Sequence, residues 1–80
     1  MEIISNKEFL MAFGLNLRNI RKAKNLKQYH AAERCGIHKN NYTNIECGKR
    51  NITISKAKAI ATSLDVPLDQ LLSFRTSLRP

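Results

Sequence analysis

The sequence predicts an all-α domain of five short helices, on three observations. Apolar residues recur every three or four positions over most of the chain. Gly36 and Gly48 punctuate its middle, and no stretch shows the apolar–polar alternation of a strand. Eighty residues make one domain, residues 1–80, with a modest core and little room for a large substrate cavity.

The elements follow in order. Ser5, with Glu8 three residues on, has the form of a capping box, so a first helix should open at about Asn6. Leu10, Phe13, Leu17 and Ile20 form its inward stripe. Gly14 sits within it at a cost of about 1 kcal/mol relative to Ala, and a close helix–helix approach is one reason to keep a glycine there. Asn25 can take the left-handed turn that ends this helix near Lys24. A second helix is expected over about Lys27 to Cys35, with Tyr29, Ala32 and Cys35 inward, and Gly36 suits its C-terminal turn. A third should run from about His38 to Cys47, anchored by Ile37, Tyr42 and Ile45, and end at Gly48. "KRNITIS" reads as a loop into a fourth helix over roughly residues 54–64, with Ile54, Ala57, Ile60, Ala61 and Leu64 on one face. Thr53 or Ser55 would cap it. Pro67 suits the first turn of a fifth helix ending near Leu72. The core should span about residues 6–73, with residues 74–80, which show no period, a frayed tail.

Charge narrows the function. The formal net charge is +8, and residues 18–58 hold eleven basic against two acidic side chains. A basic middle between near-neutral ends points to a polyanion, nucleic acid before a membrane surface. No run of eighteen apolar residues is present, the basic window lacks the Trp or Phe that anchors membrane-surface helices, and no export signal is seen. Cys35 and Cys47 are therefore read as reduced thiols of a cytoplasmic protein. His30, Cys35, His38 and Cys47 supply four possible zinc ligands, but the expected helices scatter them, so no metal is expected. With no glycine-rich phosphate loop, nucleophile–base pair or carboxylate pair, no enzyme, cofactor or small-molecule substrate is expected either.

Lys39, Asn40, Thr43 and Asn44 give the short third helix a polar outward face. A B-DNA major groove is about 12 Å wide and admits one helix, in which Asn can pair with adenine and Lys can donate to guanine. The preceding helix must cross the backbone and hold the reader, and a tight turn such as Gly36 supplies fixes the angle.

The segments "LRNIRKAKNLKQ", "AAERCGI", "NIECGKRN" and "IATSLDVPLDQLL", in this order and spacing, resemble the lambda-repressor-like, or XRE, helix-turn-helix regulators from Phe13 to about Leu72. The resemblance implies a compact five-helix fold that binds a near-palindromic operator on double-stranded DNA as a homodimer. It implies base contacts from Lys39, Asn40, Thr43 and Asn44, a Gln28 that touches phosphate and braces the reading helix, and His38 and Asn41 near phosphates or the groove edge. Lys49, Arg50 and Asn51 would face the backbone, and Arg21 would pair with Glu46 to lock the reader in place. Lys27 stands where the family often has a Ser or Thr cap, and could itself reach a phosphate; His38 replaces the usual cap of the third helix. In the family the C-terminal region commonly forms the dimer interface, here Leu68, Leu71, Leu72 and Phe74, unless these residues close the chain's own core. The short length and the "GKRNITI" loop resemble the controller proteins of restriction–modification systems; an antitoxin or a protein–protein adaptor on the same scaffold is the alternative.

Overall fold

The computed structural model describes residues 3–4 and 6–74. The elements are β1 (Ile3–Ile4), α1 (Lys7–Ala23), α2 (Gln28–Cys35), α3 (Lys39–Glu46), β2 (Ile52–Thr53), α4 (Ile54–Ser63) and α5 (Leu68–Leu71). Among the described residues five helices thus stand where the periodicity predicts them. The addition is a two-residue antiparallel ladder pairing Ile3 with Thr53 and Ile4 with Ile52, too short to produce a readable alternation.

Each helix start has a local cause. Asn6, not Ser5, caps α1, its side chain accepting from Phe9 N at 2.9 Å; Ser5 lies outside the described residues. Thr53 caps α4 through Lys56 N at 3.0 Å. His38 caps α3, its Nδ1 accepting from Asn40 N at 3.2 Å. Lys27 precedes α2 without a side-chain cap. Asn25 and Asp65 adopt left-handed φ values of 59° and 62° at the ends of α1 and α4.

Leu10, Phe13, Leu17 and Ile20 of α1 meet Ala31 and Ala32 of α2, Tyr42 and Ile45 of α3, Ile52, the α4 stripe of Ala57, Ile60 and Ala61, and Leu64 and Leu71 in one core. Two expected inward residues are corrected. Tyr29 is 51% exposed and Ile54 41%. Ala31 takes the place expected of Tyr29 beside the expected Ala32, both buried, because α2 packs against both α3 and α4 and small side chains allow that approach. Ile54 is the first residue of α4, outside the turns that pack. The C-terminal region is also tied down further than its lack of period implied. Phe74, expected to fray, stands edge-on to Phe9 at 5.1 Å and to Phe13 at 6.4 Å. The Asn16 side-chain amide donates to Leu71 O at 2.6 Å and Gln70 O at 3.1 Å, holding the end of α5 on α1. The remainder of the expected tail, residues 75–80, lies outside the described residues.

The packing of α3 on α1 sets the position of everything that follows. A Cβ at Gly14 would run into the backbone carbonyls of Glu46 and Ile45, and one at Gly48 would meet the Met11 backbone at 2.7 Å. Glycine at 14 therefore lets the C-terminal turn of α3 lie directly on α1. Across this contact the Arg21 guanidinium holds Glu46 in a fork, Nε to Oε2 at 2.7 Å and Nη2 to Oε1 at 3.2 Å, with side-chain exposures of 9% and 2%. Arg21 Nη1 also donates to Leu26 O at 2.8 Å, closing the α1–α2 turn. Burial works to raise the Glu46 carboxyl, but hydrogen bonds to it from Arg21 and Gln28 outweigh burial and hold it below its ordinary value. Burial and the nearby Glu46 charge push the Tyr42 phenol far up, so its hydroxyl stays neutral, without a partner at hydrogen-bonding geometry among the described residues.

Two outcomes are expected. Gly14→Ala should gain helix propensity yet lower stability by about 2 kcal/mol, because α1 and α3 must move apart; urea unfolding measures the loss. The lowered Glu46 carboxyl supplies stability that is fully present above its unfolded value of 4.5 and is lost as pH falls from there through the lower folded value. Urea midpoints should therefore drop as pH is lowered below 4.5. Glu46→Gln should lose about 3–5 kcal/mol at neutral pH by leaving Arg21 unpaired, and its midpoint should depend less on acid.

Candidate nucleic-acid interface

Between α2 and α3 the chain turns in three residues. Gly36 takes a left-handed φ of 67°, and the amides of Gly36 and Ile37 return to Glu33 O at 3.1 Å and Ala32 O at 3.0 Å. Half-buried Ile37 packs against the core and pins the turn. A Cβ at Gly36 would meet nothing within 4 Å, so glycine here serves backbone conformation, not space. At the other end of α3, Gly48 has φ 73°, and the Lys49 amide donates to Asn44 O at 2.8 Å. α3 is thus bounded by two left-handed glycines and held at its C-terminal turn by α1.

Lys39 and Asn40 are fully outward at the start of α3, and Thr43 and Asn44 lie half-buried one turn on. No hydrogen bond holds the side chains of Lys39, Asn40 or Asn44 to other described residues. Thr43 differs, because its hydroxyl donates to Gln28 Oε1 at 3.3 Å. Gln28 in turn donates through Nε2 to Glu46 Oε1 at 3.0 Å. A single polar chain therefore runs Arg21–Glu46–Gln28–Thr43 through α1, α2 and α3. Gln28, expected from the family resemblance to touch phosphate and to brace the third helix, bonds to the α3 side chains Glu46 and Thr43, and its Nε2 keeps one N–H for an outside acceptor. The Thr43 hydroxyl proton is thereby committed, leaving its oxygen lone pairs for other donors.

Lys49, Arg50 and Asn51 are exposed after α3, as are Lys27 and His38 before α2 and α3. Arg50 is not free: its Nη1 donates to Asn41 Oδ1 at 3.2 Å, tying the loop back to α3. Beside this contact lies a cavity of about 150 Å³ lined by Ile37, Asn41, Ile45, Arg50, Asn51, Ile52, Thr53 and Lys56. Its rim is cationic and amide-bearing and its floor is isoleucine. Lys56, which the sequence reading did not assign, joins Arg50 there because α4 begins directly behind the loop. Only the i+3 spacing from its cap Thr53 hinted at that. Among the described residues no cluster of His, Cys, Asp and Glu could hold a metal ion. Cys35 is half-buried, its thiol pushed up by burial, while Cys47 is exposed. No helix among the described residues is long and apolar enough to cross a membrane.

The residues expected at a dimer interface divide. Leu71 has no exposed surface and belongs to the chain's own core, since α5 packs against both α1 and α4. Leu68, Leu72 and Phe74 are half-buried against that core and keep part of their surface outward.

The helix-turn-helix family model HTH_3 matches residues 17–71, the segment that contains the α2–α3 turn, α3 and the polar chain behind it. Control protein C.BamHI of Bacillus amyloliquefaciens is 34% identical over 67 residues, 82% of this chain and 83% of that protein. Control protein C.MunI of a Mycoplasma species is 34% identical over 62 residues, 76% of this chain and 84% of that one. The crystal structure of the restriction-modification controller protein C.AhdI from Aeromonas hydrophila superposes with a TM-score of 0.74 at 34% identity, over 78% of this chain and 94% of that one. A helix with free amides and a lysine outward, two glycine-bounded turns and a buried brace agree with these similarities: the chain belongs to the helix-turn-helix family of DNA-binding regulators.

Proposed function

We propose that this chain is a cytoplasmic transcription regulator of the restriction–modification controller kind, which binds a near-palindromic operator as a homodimer. The observation that carries the reading is the unpartnered face of α3, Lys39, Asn40 and Asn44, on a helix held rigidly by the Arg21–Glu46 brace. Rigid placement matters because bidentate base contacts require side chains positioned within a fraction of an ångström. Similarity to C.BamHI, C.MunI and C.AhdI supports the controller role.

In this reading Lys39, Asn40, Thr43 and Asn44 meet base edges, with the Thr43 methyl suited to a thymine methyl. Lys27, Gln28, His38, Asn41, Lys49, Arg50 and Asn51 meet the backbone on either side. Lys56 joins them, because the cationic rim it shares with Arg50 suits a phosphate. Leu68, Leu72 and Phe74 form the dimer contact, with Leu71 supporting them from inside the core. The function needs no cofactor and involves no catalysis.

Selection of bound duplexes from a random library tests the whole reading: an enriched near-palindrome with half-sites about one helical turn apart is expected. Absence of any enrichment would favour a protein–protein adaptor on the same scaffold. On the selected operator, Asn40→Ala should cost about 1–3 kcal/mol and relax preference at one base position. Lys49→Ala or Lys56→Ala should instead weaken all sequences nearly equally and reduce the salt slope by about 1. Leu72→Asp should shift sedimentation to the monomer while keeping cooperative melting, and should weaken the palindrome far more than a single half-site.

A further inference from the structure

We propose that the outward face of α1 is a docking surface for an acidic, amphipathic segment of another protein. Met11 and Leu15 are each 54% exposed and are two of the four large hydrophobic side chains exposed among the described residues. They stand four apart on a helix whose core stripe of Leu10, Phe13, Leu17 and Ile20 points elsewhere, so more than half of each side chain is left in solvent. Lys7, Arg18 and Lys22 share their line. At 100° per residue all five positions fall within a sector about 80° wide, along about 22 Å of helix. Arg18 and Lys22 form no ion pair among the described residues, and Glu8, at the N-terminal edge of the stripe, is the one acid in α1. The surface is thus an apolar centre with cations at both ends.

That pattern selects its occupant by charge and shape. A second copy of the same face would set cations against cations. Backbone phosphates would match Arg18 and Lys22 but leave Met11 and Leu15 without a partner. A lipid surface would find no aromatic anchor on the stripe. A helix or extended segment with apolar residues at its centre and carboxylates at its ends satisfies both features, and methionine's flexible thioether adapts to such a partner. The Met11 backbone lies against Gly48, so the stripe begins near the C-terminal end of α3, while Lys39 and Asn40 occupy the opposite end. The surface is therefore separate from the proposed base readers, and its failure would leave the operator reading intact.

The test is a titration of the isotope-labelled full chain followed by amide chemical shifts. The probe is a synthetic helical peptide of about 16 residues, long enough to lie along the stripe, with two leucines four apart and glutamates towards both ends. Saturable shifts centred on Lys7, Met11, Leu15, Arg18 and Lys22 are expected. Leu15→Ser should abolish them while melting and duplex binding stay unchanged. Arg18→Gln with Lys22→Gln should weaken the peptide about tenfold. The proposal is overturned if no saturable shift appears, if a scrambled peptide of equal charge shifts the same residues equally, or if the shifts centre on α3. It is also overturned if Leu15→Ser leaves peptide binding unchanged.

Discussion

Taking Arg21 and Glu46 out of water carries a penalty of several kcal/mol per ion, and this small domain has only a modest core to offset it. The charges are tolerated because their hydrogen bonds are distributed over three helices. Arg21 uses Nε and Nη2 on the carboxylate and Nη1 on the Leu26 carbonyl, while Glu46 also receives Gln28. A pair of this kind gains geometric specificity more than net stability. It permits one placement of α3 on α1, and Gly14 sets the distance by removing the side chain that would hold the helices apart. The orientation of the outward face of α3, the turn before it and the loop behind it all depend on that placement.

From this constraint follows a division of labour within α3. Its inward side supplies Tyr42, Ile45 and Glu46 to the core and the brace, and its outward side keeps Lys39, Asn40 and Asn44 available. Thr43 and Asn41 stand between the two roles, each engaged by a residue from outside α3: Thr43 by Gln28 and Asn41 by Arg50. These contacts pre-order the edges of the outward face of α3, and such pre-ordering lowers the entropy lost when a surface binds. The same economy of length explains the C-terminal region. Eighty residues supply little apolar surface, and of it Leu71 is wholly internal while Leu68, Leu72 and Phe74 keep an outward part. The outward Met11 and Leu15 stand apart from both uses.

Helix positions were legible in the sequence because periodicity, caps and glycine breaks are local signals. Leu10, Phe13, Leu17 and Ile20 announced the inward face of α1, and Asn25, Gly36 and Gly48 the turns that follow α1, α2 and α3. Thr53 was readable as a cap for the same reason. Tyr29 was misread because a period alone cannot distinguish a helix packed on one side from one wedged between α3 and α4, where only Ala31 and Ala32 fit. Phe74 was misread because a single aromatic beyond the last periodic residue carries no pattern; its partners Phe9 and Phe13 lie more than sixty residues away in the chain. The β1–β2 ladder was missed for want of length.

By itself the sequence determined the helical class, the central turn, the basic middle and the polar outward face, all properties of residues close together in the chain. Its motif spacing also carried the family resemblance, and with it the pairing of Arg21 with Glu46. Tertiary structure alone decided which polar groups are engaged and which are free: Gln28 shared between Glu46 and Thr43, Arg50 turned back onto Asn41, Lys56 brought beside Arg50, and Asn16 holding α5. The reason is that hydrogen-bond geometry is set by distances between elements far apart in sequence, and those distances exist only once α3 has settled on Gly14.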